Sequence, residues 1–387
     1  MRRRKNSSAS KNVVGEAVLI AAFSGRALAQ SARRAGYEPL VADAFGDLDT
    51  QSAAAAFRVI DGAMETGFRT KPLLAALDEL ASSVSSRPLG LVLGSGFEDK
   101  PRLIAVLAGR YRLLGNGAAT YAACKAPARF FSKLDALGIA HPETQAAPPA
   151  DPAGWLTKRI GGSGGRHIRM CNADAIQRPR RYFQKQLEGE RLSVGGVFGA
   201  EHTPLAVTRQ WISPSPAQPF RFGGAVSQPG IAPALRRALE SNALKVASAF
   251  NLTGMASFDF IAVDGVLHLL EVNPRPGASL DVLDDDWGTQ FRAHAAVCTG
   301  MSVPANPAPK SSARAMAILH ADRDALTLGE TPWPKWSADR GPSGTFIPKN
   351  APLASVFAEA ATADEAQRLA QVRLAELEDL IYEHTQS

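Results

Sequence analysis

One strand–turn–strand segment, residues 256–273, restricts the fold more than any other part of the sequence. Two largely apolar runs, Ala256–Val263 and Val266–Asn273, are separated by Asp264-Gly265, a dipeptide typical of tight hairpin turns. Three polar side chains lie within these runs: Asp259, Glu271 and Asn273. Acids are seldom buried unless they are paired or metal-bound, and Mg²⁺ prefers carboxylate and amide oxygens. The segment therefore predicts an antiparallel hairpin that carries a metal site.

The register of this hairpin tests the metal hypothesis. Glu271 and Asn273 are two residues apart, so their side chains share one face of the strand. A two-residue turn with a regular ladder would pair Asp259 with Leu270 and leave Glu271 on the other face. A three-residue or bulged turn would pair Asp259 with Glu271. We therefore predict an irregular hairpin; the alternative is a regular one that carries ordinary surface acids.

The N-terminal part of the chain has the pattern of a parallel α/β sheet. Two apolar strands, Glu16–Phe23 and Leu40–Asp43, flank a predicted helix, and a third strand is expected at Leu89–Leu93. Ligands bind at the carboxyl ends of such strands, so Ser24-Gly25-Arg26 and Gly94-Ser95-Gly96 are candidate ligand loops or simply tight turns. No dinucleotide fingerprint of glycines accompanies Gly25, which disfavours a dehydrogenase.

A second glycine-rich segment lies between two predicted strands, Trp155–Ile160 and Arg166–Met170. Its residues are Gly161, Gly162, Ser163, Gly164 and Gly165. It lacks the Lys-Ser/Thr ending of a Walker loop, but in a hairpin its backbone N–H groups could fold over phosphates. We also expect one helix over residues 119–137 and an ordered loop over residues 214–233, which could cover the site.

Charge and composition exclude several classes of function. The net charge is +6, but five basic residues before Glu16 account for most of it, and the remainder is close to neutral. This distribution predicts a disordered basic tail at residues 1–15 rather than a nucleic-acid-binding domain. No apolar run reaches the roughly 18 residues of a membrane span. Three scattered cysteines without a CxxC pair favour a reduced, cytoplasmic setting.

The hairpin, together with Glu271-Val272-Asn273-Pro274-Arg275, resembles the closing motif of ATP-grasp enzymes. The resemblance implies that Asp259, Glu271 and Asn273 hold Mg²⁺ (or Mn²⁺) on the phosphates of ATP. It implies that Arg275 stabilises charge during phosphoryl transfer. It also implies that the glycine-rich segment covers the phosphates and that Lys125 and Lys158 are the nucleotide-binding lysines. Without the resemblance, Lys125 would be interpreted as a solvated helix charge.

The segment Tyr182–Glu190 resembles the ATP-grasp strand that lines the adenine and ribose pocket. Five of its residues are predicted to contact the nucleotide: Gln184, Gln186, Leu187, Glu188 and Glu190. The chain departs from the family here, because Gln184 replaces a frequent acid and Arg191 stands where the ribose-binding acid often lies. Glu188 and Glu190 are therefore the candidates for the ribose. Arg209 is a second catalytic candidate, and a solvated strand arginine is the alternative.

The resemblance implies an α/β (α+β composite) ATP-grasp fold with an N-terminal Rossmann-like domain and a small C-terminal β-rich subdomain. After the tail, the predicted units are residues 16–118 (N-terminal domain), 119–183 (small lobe with the glycine-rich segment), 184–305 (large lobe with the metal site) and 306–387 (C-terminal subdomain). A homodimer is one assembly that the resemblance allows.

The implied activity is an ATP- and Mg²⁺-dependent ligation of a small-molecule carboxylate to an amine, such as an amino acid, through an acyl phosphate. Gly94–Pro101, Leu113–Asn116 and Gly341–Ala361 further resemble a carboligase branch linked to one-carbon cofactor synthesis, which implies a glutamyl-type amide. Two alternatives remain open: a carboxylase-like or kinase-like enzyme that uses bicarbonate or a hydroxyl acceptor, and a non-catalytic nucleotide-binding protein.

Overall fold

The computed structural model describes residues 15–172, 178–200, 202–303 and 311–386, so the predicted tail lies outside it except for Gly15. The chain begins with a parallel sheet of five strands in the order β3-β2-β1-β4-β5. The strands are β1 (Glu16–Ala21), β2 (Tyr37–Asp43), β3 (Ala56–Val59), β4 (Leu91–Leu93) and β5 (Leu113–Leu114). The helices are α1 (Arg26–Arg34), α2 (Leu48–Ala53), α3 (Ala63–Thr66), α4 (Thr70–Ser82) and α5 (Pro101–Arg110). The predicted βαβ beginning is confirmed.

The single helix expected at residues 119–137 is two helices, α6 (Ala118–Lys125) and α7 (Pro127–Ala136). Pro127 lacks the N–H group that a continuous helix needs, and it disfavours the α conformation of the residue before it. Ala126 accordingly has φ −93° and ψ 104°. The break makes Lys125 the last residue of α6, and from this position its side chain reaches Glu271.

The glycine-rich segment belongs to a small antiparallel sheet with the strand order β6-β9-β7-β8. Its strands are β6 (Thr144–Gln145), β7 (Trp155–Arg159), β8 (Arg169–Met170) and β9 (Arg181–Lys185). Leu156 pairs with Met170, so β7 and β8 flank the glycines as the two arms of a hairpin, as predicted.

The largest sheet has eight antiparallel strands in the order β14-β13-β10-β11-β12-β15-β19-β17. It begins with β10 (Glu190–Phe198), β11 (Ala206–Ile212), β12 (Phe222–Ser227), α8 (Pro233–Ala249), β13 (Gly254–Val263), β14 (Val266–Asn273), α9 (Leu280–Leu283) and α10 (Thr289–Thr299). The loop expected at 214–233 therefore contains a strand. The sequence does not read as a strand here because Gly223 and Gly224 are unfavourable in strand interiors. Gly224 is needed for packing, since a Cβ there would lie 2.3 Å from the indole ring of Trp211.

The C-terminal strands are present, and three of them extend the eight-stranded sheet. The elements are β15 (Ala313–His320), β16 (Leu326–Leu328), β17 (Ser337–Ala338), β18 (Phe346–Ile347), β19 (Pro352–Ala360), α11 (Ala363–Glu383) and β20 (Thr385–Gln386). Strands β18, β16 and β20 form a separate three-stranded sheet. Helix α11 begins with a capping box in which Thr362 and Glu365 bond each other's backbone N–H groups. None of the helices in the described ranges is long and apolar enough to cross a membrane.

One face of the large sheet is buried and the other faces a cleft. Phe258, Phe260, Leu269 and Val272 of the hairpin pack in one core with residues of α7 and α8. Because side chains alternate along a strand, the polar residues between them point to the opposite face. Burial of the apolar face thus fixes which side chains are presented to the cleft.

Candidate active site

The hairpin of β13 and β14 reaches the predicted pairing by a bulge. Its turn is the tight Asp264-Gly265 pair, with φ angles of 49° and 79°. The ladder is regular from Val263–Val266 to Phe260–Leu269, then shifts, so that Asp259 pairs with Glu271 and Ser257 with Asn273. Leu270 is the extra residue. The predicted irregularity is confirmed, although it lies within the ladder rather than at the turn.

Asp259, Glu271 and Asn273 form one polar surface, here called the metal face. Asn273 Nδ2 donates to Asp259 Oδ2 at 3.0 Å, and Gln210 Nε2 lies 3.4 Å from Asp259 Oδ1. Withdrawal from water, then the charge of Glu271, raise the pKa of Asp259 above its ordinary value. Two carboxylates and an amide supply only hard oxygen ligands, and a divalent cation would offset the repulsion between the carboxylates. The donor set therefore fits Mg²⁺ or Mn²⁺.

Two lysines with little exposure stand beside the metal face. Lys125 Nζ donates to Glu271 Oε2 at 3.0 Å and to Asn273 Oδ1 at 3.2 Å. Lys158 Nζ donates to Gln184 Oε1 at 2.8 Å. Burial lowers the pKa of Lys158 to about 8, although the charge of Glu271 opposes the shift. Because Gln184 is neutral, the charge of Lys158 has no bonded carboxylate partner among the described residues and can serve an anionic ligand.

The glycine-rich segment, Gly161–Gly165, presents backbone donors to the same cleft. The N–H groups of Ser163, Gly164 and Gly165 have no hydrogen-bond acceptor within the ranges that the structure describes. Successive free N–H groups in a turn form an anion-binding concavity. A Cβ on Gly165 would lie 1.8 Å from the carbonyl oxygen of Phe220, so only glycine allows this close approach. The segment can thus hold phosphate oxygens against the cleft.

Arg275 follows the metal face and is held by an acid that the sequence analysis did not identify. Arg275 Nε and Nη2 lie 2.8 and 2.7 Å from Glu98 Oε1, and Gly96 N donates to Glu98 Oε2 at 2.8 Å. Only 2% of the Glu98 side chain is exposed. Burial alone would raise the pKa of Glu98, but Arg275 and Lys125 hold it below its ordinary value.

These features surround one cleft of 930 Å³. Its lining includes the metal face, Lys158, Arg275 and both predicted N-terminal ligand loops, Ser24–Arg26 and Gly94–Gly96, except for Gly25. A cleft of this size has room for a nucleotide and a second small molecule.

The sequence matches the family model of the ATP-grasp domain over residues 125–279. The chain contains an ATP-grasp domain. The matched range begins at Lys125 and includes the glycine-rich segment, the metal face and Arg275. No curated protein matches the sequence of the chain.

Solved structures share the fold of this chain along most of its length. Biotin carboxylase from Campylobacter jejuni, solved with an ATP analogue, is 13% identical, with 92% of this chain and 90% of that chain covered and a TM-score of 0.69. N5-carboxyaminoimidazole synthetase from Staphylococcus aureus, solved with ADP, is 14% identical, with coverage of 93% and 97% and a TM-score of 0.66. At these identities the likeness establishes the fold.

Some predicted nucleotide contacts lie in the cleft of the ATP-grasp domain and others do not. Residues that line it include Gly161, Ser163, Gly164, Gly165, Gln184, Gln186 and Leu187. Gly162 does not line the cleft, and a Cβ there would overlap the ring of His167. Lys125 reaches the metal face from α6 without lining the cleft. Glu188 and Glu190 are exposed and do not line the cleft, and their contact with the ribose remains a prediction.

Arg209 is also corrected as a catalytic candidate. Its guanidinium donates to Asp364 Oδ1 at 2.5 Å and to Gln367 Oε1 at 2.9 Å, both on α11. The next residue, Gln210, points into the cleft. Adjacent residues of a strand face opposite sides, so Arg209 is directed away from the metal face.

A buried arginine that the sequence analysis did not interpret joins three parts of the chain. Arg26 of the first ligand loop lies 2.6 Å from both carboxylate oxygens of Asp281 and 2.7 Å from Asp339 Oδ1. Only 3% of Arg26 is exposed. Asp339 belongs to the C-terminal region, so the pairing fixes one end of the cleft with residues from both ends of the chain. A lone arginine after a strand carries no sequence signal for such distant partners.

Proposed function

We propose that the protein is an ATP- and Mg²⁺-dependent ligase that joins a carboxylate to an amine through an acyl phosphate. The observation that carries the proposal is the placement of a hard-oxygen face, Asp259, Glu271 and Asn273, in the same cleft as a lysine bonded to a neutral amide. Three backbone N–H groups without an acceptor among the described residues lie in that cleft as well. Such a set suits a polyphosphate and a divalent cation together.

In this proposal, separate sets of residues bind the metal ion, the phosphates and the base of ATP. Asp259, Glu271 and Asn273 would hold Mg²⁺, which neutralises phosphate charge when bound. Ser163, Gly164 and Gly165 would donate N–H groups to phosphate oxygens, and Lys158 would add a buried positive charge. Gln186, Leu187 and the bulged Leu270, which line the cleft as well, would border the base.

The transfer needs positioning more than a nucleophilic side chain. A substrate carboxylate oxygen attacks the γ-phosphorus of ATP, ADP leaves, and an acyl phosphate forms. The nitrogen of the neutral amine then attacks the acyl carbon, and the departing phosphate takes up the proton that the amine loses. Arg275, fixed by Glu98, would face the charge that develops on the transferred group. An acyl phosphate hydrolyses in water, so a glycine-rich segment that closes against Phe220 is consistent with this chemistry.

Bicarbonate is the main competing substrate. A biotin carboxylase domain of 2-oxoglutarate carboxylase from Hydrogenobacter thermophilus has the same fold, at 14% identity and a TM-score of 0.68, and was solved with MgADP and bicarbonate. A carboxylase-like activity would use the same metal face and glycine-rich segment, and so would a kinase-like activity on a hydroxyl acceptor. The ligase, carboxylase-like and kinase-like activities differ only in the substrate that each requires besides ATP.

The test is phosphate release from MgATP by the full chain, with a panel of amino acids and carboxylic acids, each with and without bicarbonate. Release that requires a carboxylate and an amine together supports the ligase; release that requires bicarbonate alone supports the carboxylase. Glu271→Gln should lower the rate by at least roughly 100-fold, on the scale of losing a strong electrostatic contact. The matched control is Glu376→Gln, which changes an exposed acid of α11. Full turnover in Glu271→Gln would disprove the metal assignment.

The glutamyl-type amide in one-carbon cofactor synthesis remains a finer prediction that rests on the resemblance. It is tested by supplying glutamate as the amine with pterin-type and furan-type carboxylic acids and analysing the product by mass spectrometry. A product with an aliphatic acid alone would contradict it. The homodimer is a separate prediction, which light scattering of the purified chain would decide.

A further inference from the structure

Three phenylalanine rings form a stack that runs from the core of the N-terminal domain to the cleft. The rings of Phe97 and Phe68 have centroids 4.9 Å apart and an interplanar angle of 19°, and those of Phe68 and Phe23 are 5.2 Å apart at 27°. Phe97 and Phe68 are buried, with exposures of 0% and 1%. Phe23 is half-buried and lines the cleft, whereas the other two rings do not. The stack therefore ends with one ring at the cleft wall.

The terminal ring is held in a fixed position by the ends of the parallel strands. Phe23 N donates to Ser95 O at 2.9 Å, and Ala44 N donates to Phe23 O at 3.0 Å. Gly96, with φ at 106°, passes so close that a Cβ would lie 2.9 Å from both Phe23 and Phe68. The ring is thus preorganised, and a ligand that stacks on it would not have to immobilise it.

The position of Phe23 places it beside the acyl-transfer site that we propose. Gly96, which packs on its ring, donates its N–H to Glu98, and Glu98 holds Arg275. Further apolar side chains of the N-terminal domain, Phe45 and Met64, line the same cleft. The nearby cation Arg26 is already paired with two aspartates, so it does not define an anion site there.

We infer that the carboxylate substrate carries a planar aromatic ring, which stacks on the cleft side of Phe23. The inference rests on the proposed function and specifies its substrate class. A half-buried aromatic ring on the wall of a cleft that Phe45 and Met64 also line favours a flat apolar partner, because offset stacking adds to the burial of apolar area. A saturated ring of similar size buries apolar area but cannot form the parallel contact with Phe23.

Direct binding tests the inference without requiring turnover. The probes are benzoate against cyclohexanecarboxylate, and 2-naphthoate against decahydro-2-naphthoate. Each is titrated by calorimetry and by saturation-transfer NMR into the full chain with Mg²⁺ and a non-hydrolysable ATP analogue. The aromatic member of each pair should bind roughly 2- to 10-fold more tightly, which is the range for one aromatic contact. Equal binding of both members, or binding of neither, would overturn the inference.

Variants assign the preference to the ring. Phe23→Leu should abolish the difference within each pair and leave the affinity for the ATP analogue unchanged, while Phe23→Tyr should keep the preference. Phe346→Leu is the matched control, because Phe346 is 63% exposed and lies outside the cleft. A preference that survives Phe23→Leu would refute the role of the stack.

The two proposals can fail separately. Aromatic acids that bind through Phe23, with no pair of carboxylate and amine in the panel stimulating phosphate release, would refute the ligase and leave the ring site in place. Aromatic and saturated acids that stimulate release equally would refute the ring site and leave the ligase in place.

Discussion

Removal of the Glu98 carboxylate should destabilise the protein substantially, because it leaves a charged guanidinium without its partner. Arg275 is 9% exposed, and its two bonds to Glu98 Oε1 are 2.7 and 2.8 Å long. Breaking a buried ion pair by removing one partner costs about 3–5 kcal/mol. Glu98→Ala is therefore expected to lose that amount, and also to release the loop that starts at Gly96.

This loss can be converted into a melting temperature. Unfolding entropy of about 2.1 cal/mol/K per residue gives about 0.8 kcal/mol per kelvin for 387 residues, if the chain unfolds cooperatively. Glu98→Ala should then lower Tm by about 4–6 °C in circular dichroism at pH 7.5. The double variant Glu98→Leu/Arg275→Met removes both charges and should recover most of the loss.

Activity supplies an independent measure of the same pair. In Glu98→Ala the guanidinium of Arg275 loses its fixed orientation, so kcat for phosphate release should fall while the affinity for MgATP changes little. A Tm within about 1 °C of the wild-type value, or a double variant no more stable than Glu98→Ala, would refute the assignment of this pair as a buried, mutually compensating contact.

Three further predictions follow from the charges of the described residues. Because the pKa of Lys158 is lowered to about 8, its side chain loses its charge above that pH, and the affinity for ATP should weaken roughly 10-fold per pH unit there. Gln184→Glu should move the midpoint of this decrease to a higher pH. An affinity that does not change with pH would contradict the prediction. Burial, then the charge of Asp339, raise the pKa of Asp47 to about 7, above its unfolded value, so its ionisation costs stability as pH rises from about 4 to 7. Asp47→Asn should therefore gain up to about 4 kcal/mol over wild type in urea unfolding at pH 8 but not at pH 4, and a gain independent of pH would be the contrary result. Arg209→Ala should keep kcat within about 2-fold and lose at most about 1 kcal/mol, since its pair with α11 is partly exposed; a large kcat loss would restore Arg209 to the site.

Sequence patterns predicted the elements of the site better than their junctions. The metal face was predictable because Asp259, Glu271 and Asn273 interrupt apolar runs, and burial of those runs leaves only one face for polar groups. The location of the bulge was also encoded, since the successive leucines Leu269 and Leu270 break the alternation of the strand. The residues of the turn carry no signal for it, because the extra residue, Leu270, lies five residues beyond Gly265.

The remaining contacts depend on tertiary structure. Arg209 and Gln210 are both polar, and their order along the strand does not say which of them faces the cleft; only the tertiary contacts, of Arg209 with α11 and of Gln210 with Asp259, show it. Glu98 lies far from Arg275 in sequence, and its role appears only when the N-terminal sheet meets the hairpin. The stack that ends at Phe23 joins rings from three loops, and no local pattern connects them.

Because of the bulge at Leu270, the length of the hairpin turn can change during evolution without changing the site. The extra residue that pairs Asp259 with Glu271 lies in the ladder next to Glu271. The two-residue turn, Asp264-Gly265, therefore closes the hairpin but does not determine which side chains would face the nucleotide. Adding residues in pairs at the tip would leave every side chain on its present face of the hairpin. A single residue inserted between Leu270 and Asn273 would turn a metal-face side chain to the other face. Tolerance to insertion should therefore be high at the tip and nearly absent after Leu270, five residues beyond Gly265.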